Sequence, residues 1–280
     1  MEVLSTIDQV RARTARARAA GGRVGLVPTM GAFHEGHLSL IRAARAACDV
    51  VVVWLFVNPT QFNEKSDLAG YPRDEERDAA LAAECGADIL FAPSVAAVYP
   101  AGFATTVTVA GVADVLEGAL RPGHFVGVAT VVAKMLNMVG PEVAFFGAKD
   151  AQQVAVVRRM VADLDIGTRI EVLPIVREAD GLAMSSRNVR LDPDERRRAT
   201  ALHRGLTSAR AAVTGGERDA GVLARVVQDE LAEAGIAAEY VAVIDPDSFE
   251  PVEIIAGPTL IALAARVGAT RLIDNIEVAP

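Results

Sequence analysis

Val50-Val51-Val52-Val53-Trp54-Leu55-Phe56-Val57 is a nearly unbroken run of β-branched and aromatic residues, the pattern of a central parallel strand buried on both faces. Upstream of it, His37 to Ala47 has helical apolar spacing, and Val24 to Val27 reads as a short buried strand closed by a turn at Pro28. The unit is therefore strand, helix, strand. A helix over Ile7 to Ala20, stopped by Gly21 and Gly22, precedes it. Downstream the rhythm continues with a helix near Arg73 to Ala83, a strand at Ile89 to Ala92 and a helix near Val128 to Val139. A strand at Val143 to Phe146, a helix at Ala151 to Ala162 and a strand at Arg169 to Leu173 follow. Such alternation predicts an α/β fold with a doubly wound, Rossmann-like parallel sheet. Ligands of that architecture bind at the carboxyl ends of the strands, near the point where the strand order reverses.

From about Val176 the rhythm changes. A polar loop leads to a long helix opened by Asp192-Pro193-Asp194-Glu195, an N-cap followed by proline. A second helix and short strands at Tyr240 to Ile244 and Thr259 to Ala265 complete a smaller C-terminal α+β domain. The expected division is 1–175 and 176–280, with no low-complexity linker and no solenoid repeat.

A hydrophobic fraction of 51% with 23% charged residues suits a globular chain able to bury a core without a metal or disulfide. Cys48 and Cys85 lie far apart and outside any Cys-x-x-Cys pattern, so both read as core thiols. The first residues lack a basic segment followed by an apolar run, and no stretch approaches the ~20 apolar residues of a membrane span. The expectation is a cytoplasmic protein without a membrane partner. A net charge of −8 argues against a nucleic-acid surface. The cluster Arg196, Arg197 and Arg198 reads as a solvated helix face.

Two of the four histidines fall in the loop after the first strand, within Pro28-Thr29-Met30-Gly31-Ala32-Phe33-His34-Glu35-Gly36-His37. Gly31 and Gly36 permit close backbone approach, and His37 opens the next helix, whose N-terminus favours an anion. Neither the P-loop spacing nor Gly-x-Gly-x-x-Gly is present. Phosphate binding, a structural cap and a metal site are all compatible with the pair, although two histidines without a third ligand make a weak zinc site. Other strand ends favour phosphate. Asn58 and Gln61 in Phe56-Val57-Asn58-Pro59-Thr60-Gln61-Phe62 offer neutral groups to a small polar substrate. Phe146-Gly147-Ala148-Lys149-Asp150-Ala151-Gln152-Gln153 supplies a cation for phosphate and a carboxylate for Mg²⁺ or a ribose hydroxyl. Met184-Ser185-Ser186-Arg187-Asn188 supplies hydroxyls and a guanidinium.

With Tyr71-Pro72-Arg73, Arg121-Pro122-Gly123-His124-Phe125 and Arg271-Leu272-Ile273-Asp274-Asn275, these segments resemble the pantothenate synthetase family of the HxGH nucleotidyltransferase superfamily. Phe33 stands where leucine is common. The resemblance implies an ATP-dependent ligase in which the pantoate carboxylate attacks the α-phosphorus and β-alanine then takes the acyl group from the adenylate. It implies ATP contacts at Met30, Gly31, Ala32, Phe33, His34, Glu35, Gly36, His37, Gly147, Ala148, Lys149, Asp150, Val176, Met184, Ser185, Ser186 and Arg187. His37, His34, Lys149, Ser185, Ser186 and Arg187 would be catalytic. Gln61 and Gln153 would hold pantoate, Gln61 would also meet β-alanine, and Asp150 would meet Mg²⁺. A homodimer is a family expectation. His124 is read either as lining the pantoate pocket or as stabilising the loop between Gly118 and Gly127; Arg121 is a further candidate, and Asp78 is read either as assisting the metal or, the stronger reading for a helix charged throughout, as an ordinary helix residue.

Overall fold

A computed structural model describes residues 1–63 and 68–280. Contacts divide the chain into two compact units, one of Met1–Ala148 with Val156–Pro174 and one of Lys149–Ala155 with Ile175–Pro280.

The first unit is built on six strands: β1 (Glu2–Leu4), β2 (Val24–Thr29), β3 (Val50–Leu55), β4 (Ile89–Phe91), β5 (Val143–Gly147) and β6 (Arg169–Leu173). They lie in the order β1-β4-β3-β2-β5-β6, and every neighbouring pair is parallel. The β-branched run from Val50 forms β3, and Val51 to Trp54 are buried on both faces of the sheet. The order reverses between β2 and β5, paired at Gly25 with Val143 and Leu26 with Ala144. That is the switch point, and the loop carrying both histidines leaves the sheet there.

One face of the sheet is covered by α2 (Glu35–Ala47) and α3 (Glu75–Glu84). Leu40, Ile41, Ala44 and Ala82 pack there with Val27, Val51, Val53 and Phe145. Further helices described in this part of the chain are α1 (Ile7–Ala19), the short α4 (Val95–Val98) and α5 (Glu117–Leu120), α6 (His124–Val139) and α7 (Ala151–Asp163). Three details differ from expectation. The strand β2 runs through Pro28 to Thr29, because proline fits a parallel strand where its missing N–H is not required. The edge strand β1, three residues with an unpatterned exposure, was not expected. Of the two cysteines, Cys48 is buried but Cys85 only half-buried, its Sγ accepting from Arg42 Nη1 at 3.4 Å.

The second unit carries an antiparallel meander of β7 (Ala238–Ile244), β8 (Thr259–Val267) and β9 (Thr270–Val278). In β8 every residue but Arg266 is buried, as suits the middle strand. The expected long helix is two: α8 (Pro193–Ala199), with Asp192 and Glu195 forming a capping box, and α9 (Ala201–Thr214), joined at Thr200. Leu202, Leu206, Ala209 and Val213 of α9 form a core with Leu223, Val227 and Leu231 of α10 (Ala220–Glu233) and with Ile261 and Leu263 of β8.

Candidate active site

The loop from Met30 to His37 is held by one carboxylate. Gly31 and Ala32 both have left-handed backbone, at φ +87° and +54°, which turns successive amides toward one point. Asp78 of α3 fills that point, accepting from Ala32 N at 2.7 Å and Phe33 N at 2.8 Å, and only 1% of it is exposed. A Cβ on Gly31 would lie 3.0 Å from the same carboxylate. Asp78 is therefore a buried anchor of the loop and not the ordinary residue of a charged helix expected, because its partners lie 46 and 45 residues upstream. The amides of Ala32 and Phe33 are spent on it, and the Phe33 ring is buried in the core.

The helix α2 begins at Glu35, and His34 is its cap; His37 lies inside the first turn and does not open it. Nδ1 of His34 accepts from Gly36 N at 3.2 Å, and Nδ1 of His37 accepts from His34 N at 3.4 Å. An Nδ1 that accepts bears no proton, so each neutral ring carries its hydrogen on Nε2. The rings stand 4.2 Å apart between centroids, with Phe33 5.5 Å from His37. Gly36 is required between them: a Cβ would lie 2.9 Å from His34 Cε1. Met30, Ala32, His34, Gly36 and His37 are partly accessible and Glu35 is exposed.

Gln61 ends a 3-10 turn, Pro59–Gln61, in the same unit. Its Oε1 accepts from Asn58 Nδ2 at 3.1 Å and its Nε2 donates to Met30 Sδ at 2.9 Å, so the structure joins two of the expected site residues. Asn58, 1% exposed, also donates to Gly127 O, while its Oδ1 accepts from Thr60 and from the Tyr99 hydroxyl at 2.8 Å. Both its N–H groups and its oxygen are occupied, so Asn58 orients Gln61 and is not the substrate donor expected of it. Burial pushes the Tyr99 phenol above its ordinary value, which keeps it a donor. His124 is buried. Its Nδ1 lies 2.9 Å from Gln61 O, and its Nε2 lies 3.2 Å from Arg121 Nη1, so both residues brace the Gln61 backbone. Gly147 ends β5, and Ala148 starts the 3-10 turn Ala148–Asp150.

The second unit carries the other candidates. Lys149 is partly accessible and Asp150 exposed, both in that turn, and Gln153 lies in the first turn of α7, half-buried. Val176 and Met184 face each other across a tight reversal: Met184 N donates to Val176 O at 3.0 Å, and Arg177 pairs with Ala183. Ser185 Oγ accepts from Arg187 N at 3.2 Å, and Asn188 Nδ2 ties the segment to Glu178 and Ala183 O. Ser186 and Arg187 are partly accessible. Arg196 is not the solvated residue expected; it bridges Glu178 at 2.6 Å and Asp180 at 2.7 Å, and its hydrogen bond holds the Asp180 carboxyl below its ordinary value. Among the described residues no three His, Cys, Asp or Glu side chains cluster as a metal site.

Comparison with known proteins gives one consistent answer. The pantoate-beta-alanine ligase family model matches residues 2–277. A pantothenate synthetase of Moorella thermoacetica is 54% identical over 277 residues, covering 99% of this chain and 98% of its own. The crystal structure of pantothenate synthetase from Thermus thermophilus aligns with a TM-score of 0.95 at 44% identity, over 100% of both chains. That of pantoate-beta-alanine ligase from Francisella tularensis, complexed with beta-gamma ATP and beta-alanine, aligns at 0.81 with 33% identity, over 99% of this chain and 97% of the other. With its histidine loop at the sheet's switch point and a match along its whole length, the chain belongs to the pantoate-beta-alanine ligase family.

Proposed function

We infer that the chain condenses pantoate with β-alanine, using ATP, to give pantothenate, AMP and pyrophosphate. The observation that carries this is the pre-formed HxGH loop at the β2 switch point, in a chain matching the family from residue 2 to 277. The pantoate carboxylate attacks the α-phosphorus and pyrophosphate leaves; the amine of β-alanine then attacks the adenylate carbonyl, loses a proton and displaces AMP.

The roles of individual residues follow from their chemistry. His34 and His37 present Nε2–H as donors to phosphate, which gains charge as pyrophosphate departs. Lys149, Ser185, Ser186 and Arg187 would meet the same charge, since phosphoryl transfer needs positioning and neutralisation more than a nucleophile. Met30, Gly31, Ala32, Phe33, Glu35, Gly36, Gly147, Ala148, Asp150, Val176 and Met184 would complete the ATP contacts, with Ala32 and Phe33 acting through loop shape because Asp78 holds their amides. Gln61 and Gln153 would hold pantoate, and Gln61 also β-alanine. Two of Gln61's four hydrogen-bonding positions serve Asn58 and Met30, leaving one N–H and one lone pair for a ligand. A neutral amide orients the carboxylate without quenching the attacking oxygen.

A lone exposed carboxylate, Asp150, fits Mg²⁺ carried on the nucleotide phosphates better than an ion caged by protein. When bound, the ion neutralises phosphate charge. We extend the reading to a homodimer in the cytoplasm, with neither nucleic acid nor membrane as partner. No helix among the described residues is long and apolar enough to cross a membrane.

The test is pyrophosphate release from ATP and Mg²⁺ with pantoate alone, then AMP and pantothenate once β-alanine is added. Pantoate-dependent pyrophosphate followed by pantothenate is the expected result. Folded, ATP-binding protein giving no pantoate-dependent signal would overturn the reading.

A further inference from the structure

The motif Arg271-Leu272-Ile273-Asp274-Asn275 lies in β9, and the chemistry above gives it no task. Two of its residues are polar yet buried: Asp274 is 2% exposed and Asn275 6%. The Asp274 carboxylate receives Arg177 in a two-pronged pair, Nη1 at 2.7 Å and Nη2 at 2.9 Å. Arg177 also donates to Gly181 O at 3.1 Å and Asn275 O at 3.4 Å. It thereby fixes the reversal through which Met184 bonds back to Val176. The neighbouring side chain reaches a different segment, since consecutive strand residues point to opposite faces. Asn275 Nδ2 donates to Lys149 O at 2.9 Å, 126 residues away in sequence, while its backbone N–H donates to Asp274 Oδ1 at 2.8 Å.

Stability alone does not call for this arrangement. Apolar residues of similar volume usually hold a fold as well as a buried ion pair does, whereas a two-pronged pair sets direction. The strand itself is secured by nine paired positions with β8, none of which needs an amide side chain at 275.

We propose that Asp274 and Asn275 are positioning residues, one dipeptide that orients both phosphate-binding segments of the second unit. Asn275 holds the turn bearing Lys149, and Asp274, through Arg177, holds the reversal leading into Ser185, Ser186 and Arg187. The inference rests on the assignment of those residues to the nucleotide phosphates.

Three variants test it: Asn275→Ala, Asn275→Asp and Asp274→Asn. Asn275→Asp keeps the shape but removes the donor, so it separates the hydrogen bond from packing. The readouts are calorimetric affinity for a non-hydrolysable ATP analogue with Mg²⁺, KM for ATP and for β-alanine, and Tm. Loss of one hydrogen bond that orients a charged group should weaken the analogue and raise KM for ATP by about tenfold in both Asn275 variants. KM for β-alanine should stay level, and Asn275→Ala should melt within ~3 °C of the unchanged protein. Asp274→Asn should lose at least as much affinity; should it fail to fold, the Asn275 pair still decides. Unaltered affinity and KM for ATP in both Asn275 variants would overturn the proposal, as would a fall in Tm with no change in either. Pantoate-dependent pyrophosphate release by the unchanged protein is measured in parallel. Its absence, alongside weakened analogue binding in the variants, would sink the ligase reading and leave the positioning role standing.

Discussion

Replacing Asp78 should disable the histidine loop without touching a histidine. The carboxylate is buried and satisfies two backbone amides, at 2.7 and 2.8 Å. Asp78→Ala leaves both donors without an acceptor, and at about 1–3 kcal/mol each the fold loses about 2–6 kcal/mol. Asp78→Asn keeps one oxygen but turns an N–H toward the second amide, a loss of about 2–3 kcal/mol. At roughly 2–4 °C per kcal/mol for a domain of this size, Tm of the Asn variant should fall by about 4–12 °C. The loop also loses its left-handed turn at Gly31 and Ala32, and a displacement near 1 Å of the histidines should lower pantoate-dependent pyrophosphate release by about a hundredfold. The assay is a thermal melt and a steady-state pyrophosphate assay, each at several Mg²⁺ concentrations. Since the carboxylate is occupied by amides, excess Mg²⁺ should restore nothing. Normal turnover in Asp78→Asn would refute the anchor, and rescue by Mg²⁺ would refute it in favour of a metal ligand.

Three further outcomes are expected. Tyr99→Phe removes one donor to Asn58 and loosens Gln61, so KM for pantoate should rise about three- to tenfold with KM for ATP unchanged in the same kinetic series. Gly36→Ala presses a Cβ against the His34 ring and should cut kcat by at least about tenfold, while circular dichroism and Tm change little, since alanine suits a helix better than glycine. Burial, aided by the charge of Arg177, holds the His203 imidazole below its ordinary value of 6.5. The unfolded chain thus takes up a proton that the folded one resists: this contribution to stability is whole above 6.5 and is lost as pH falls toward the lowered folded value. Melts between about pH 7.5 and 5.5 should show a falling Tm, with a smaller fall in His203→Gln. The depressed carboxyls of Asp180 and Asp245 act only below 3.8, outside that window.

The fold was legible because its signals are local. A run such as Val50 to Val57 declares a doubly buried strand by composition, and alternation with helical spacing declares the parallel sheet. The edge strand β1 has neither length nor pattern and takes its identity from pairing with β4. The histidine loop was legible as a site because two rare residues and two glycines share it. Its architecture was not: Asp78 sits among Glu75, Glu76 and Arg77, and nothing in that charged helix tells which carboxylate turns inward. Asn58 and Gln61 look alike as amides, yet burial saturates one and leaves the other partly accessible. Arg196 likewise stands in a run of three arginines and differs only in having Glu178 and Asp180 within reach.

The reciprocal cap at the start of α2 bears on how substitutions of these histidines are to be read. Each ring spends Nδ1 on a backbone amide and carries its proton on Nε2, so one side chain serves two separable ends. An alanine at 34 deletes both, and its rate deficit mixes a frayed helix, about 0.5–2 kcal/mol for a lost cap, with a lost donor. Asparagine there caps through its own oxygen yet has no imidazole. The difference between His34→Ala and His34→Asn therefore measures the helix, and the difference between His34→Asn and the unchanged protein measures the chemistry.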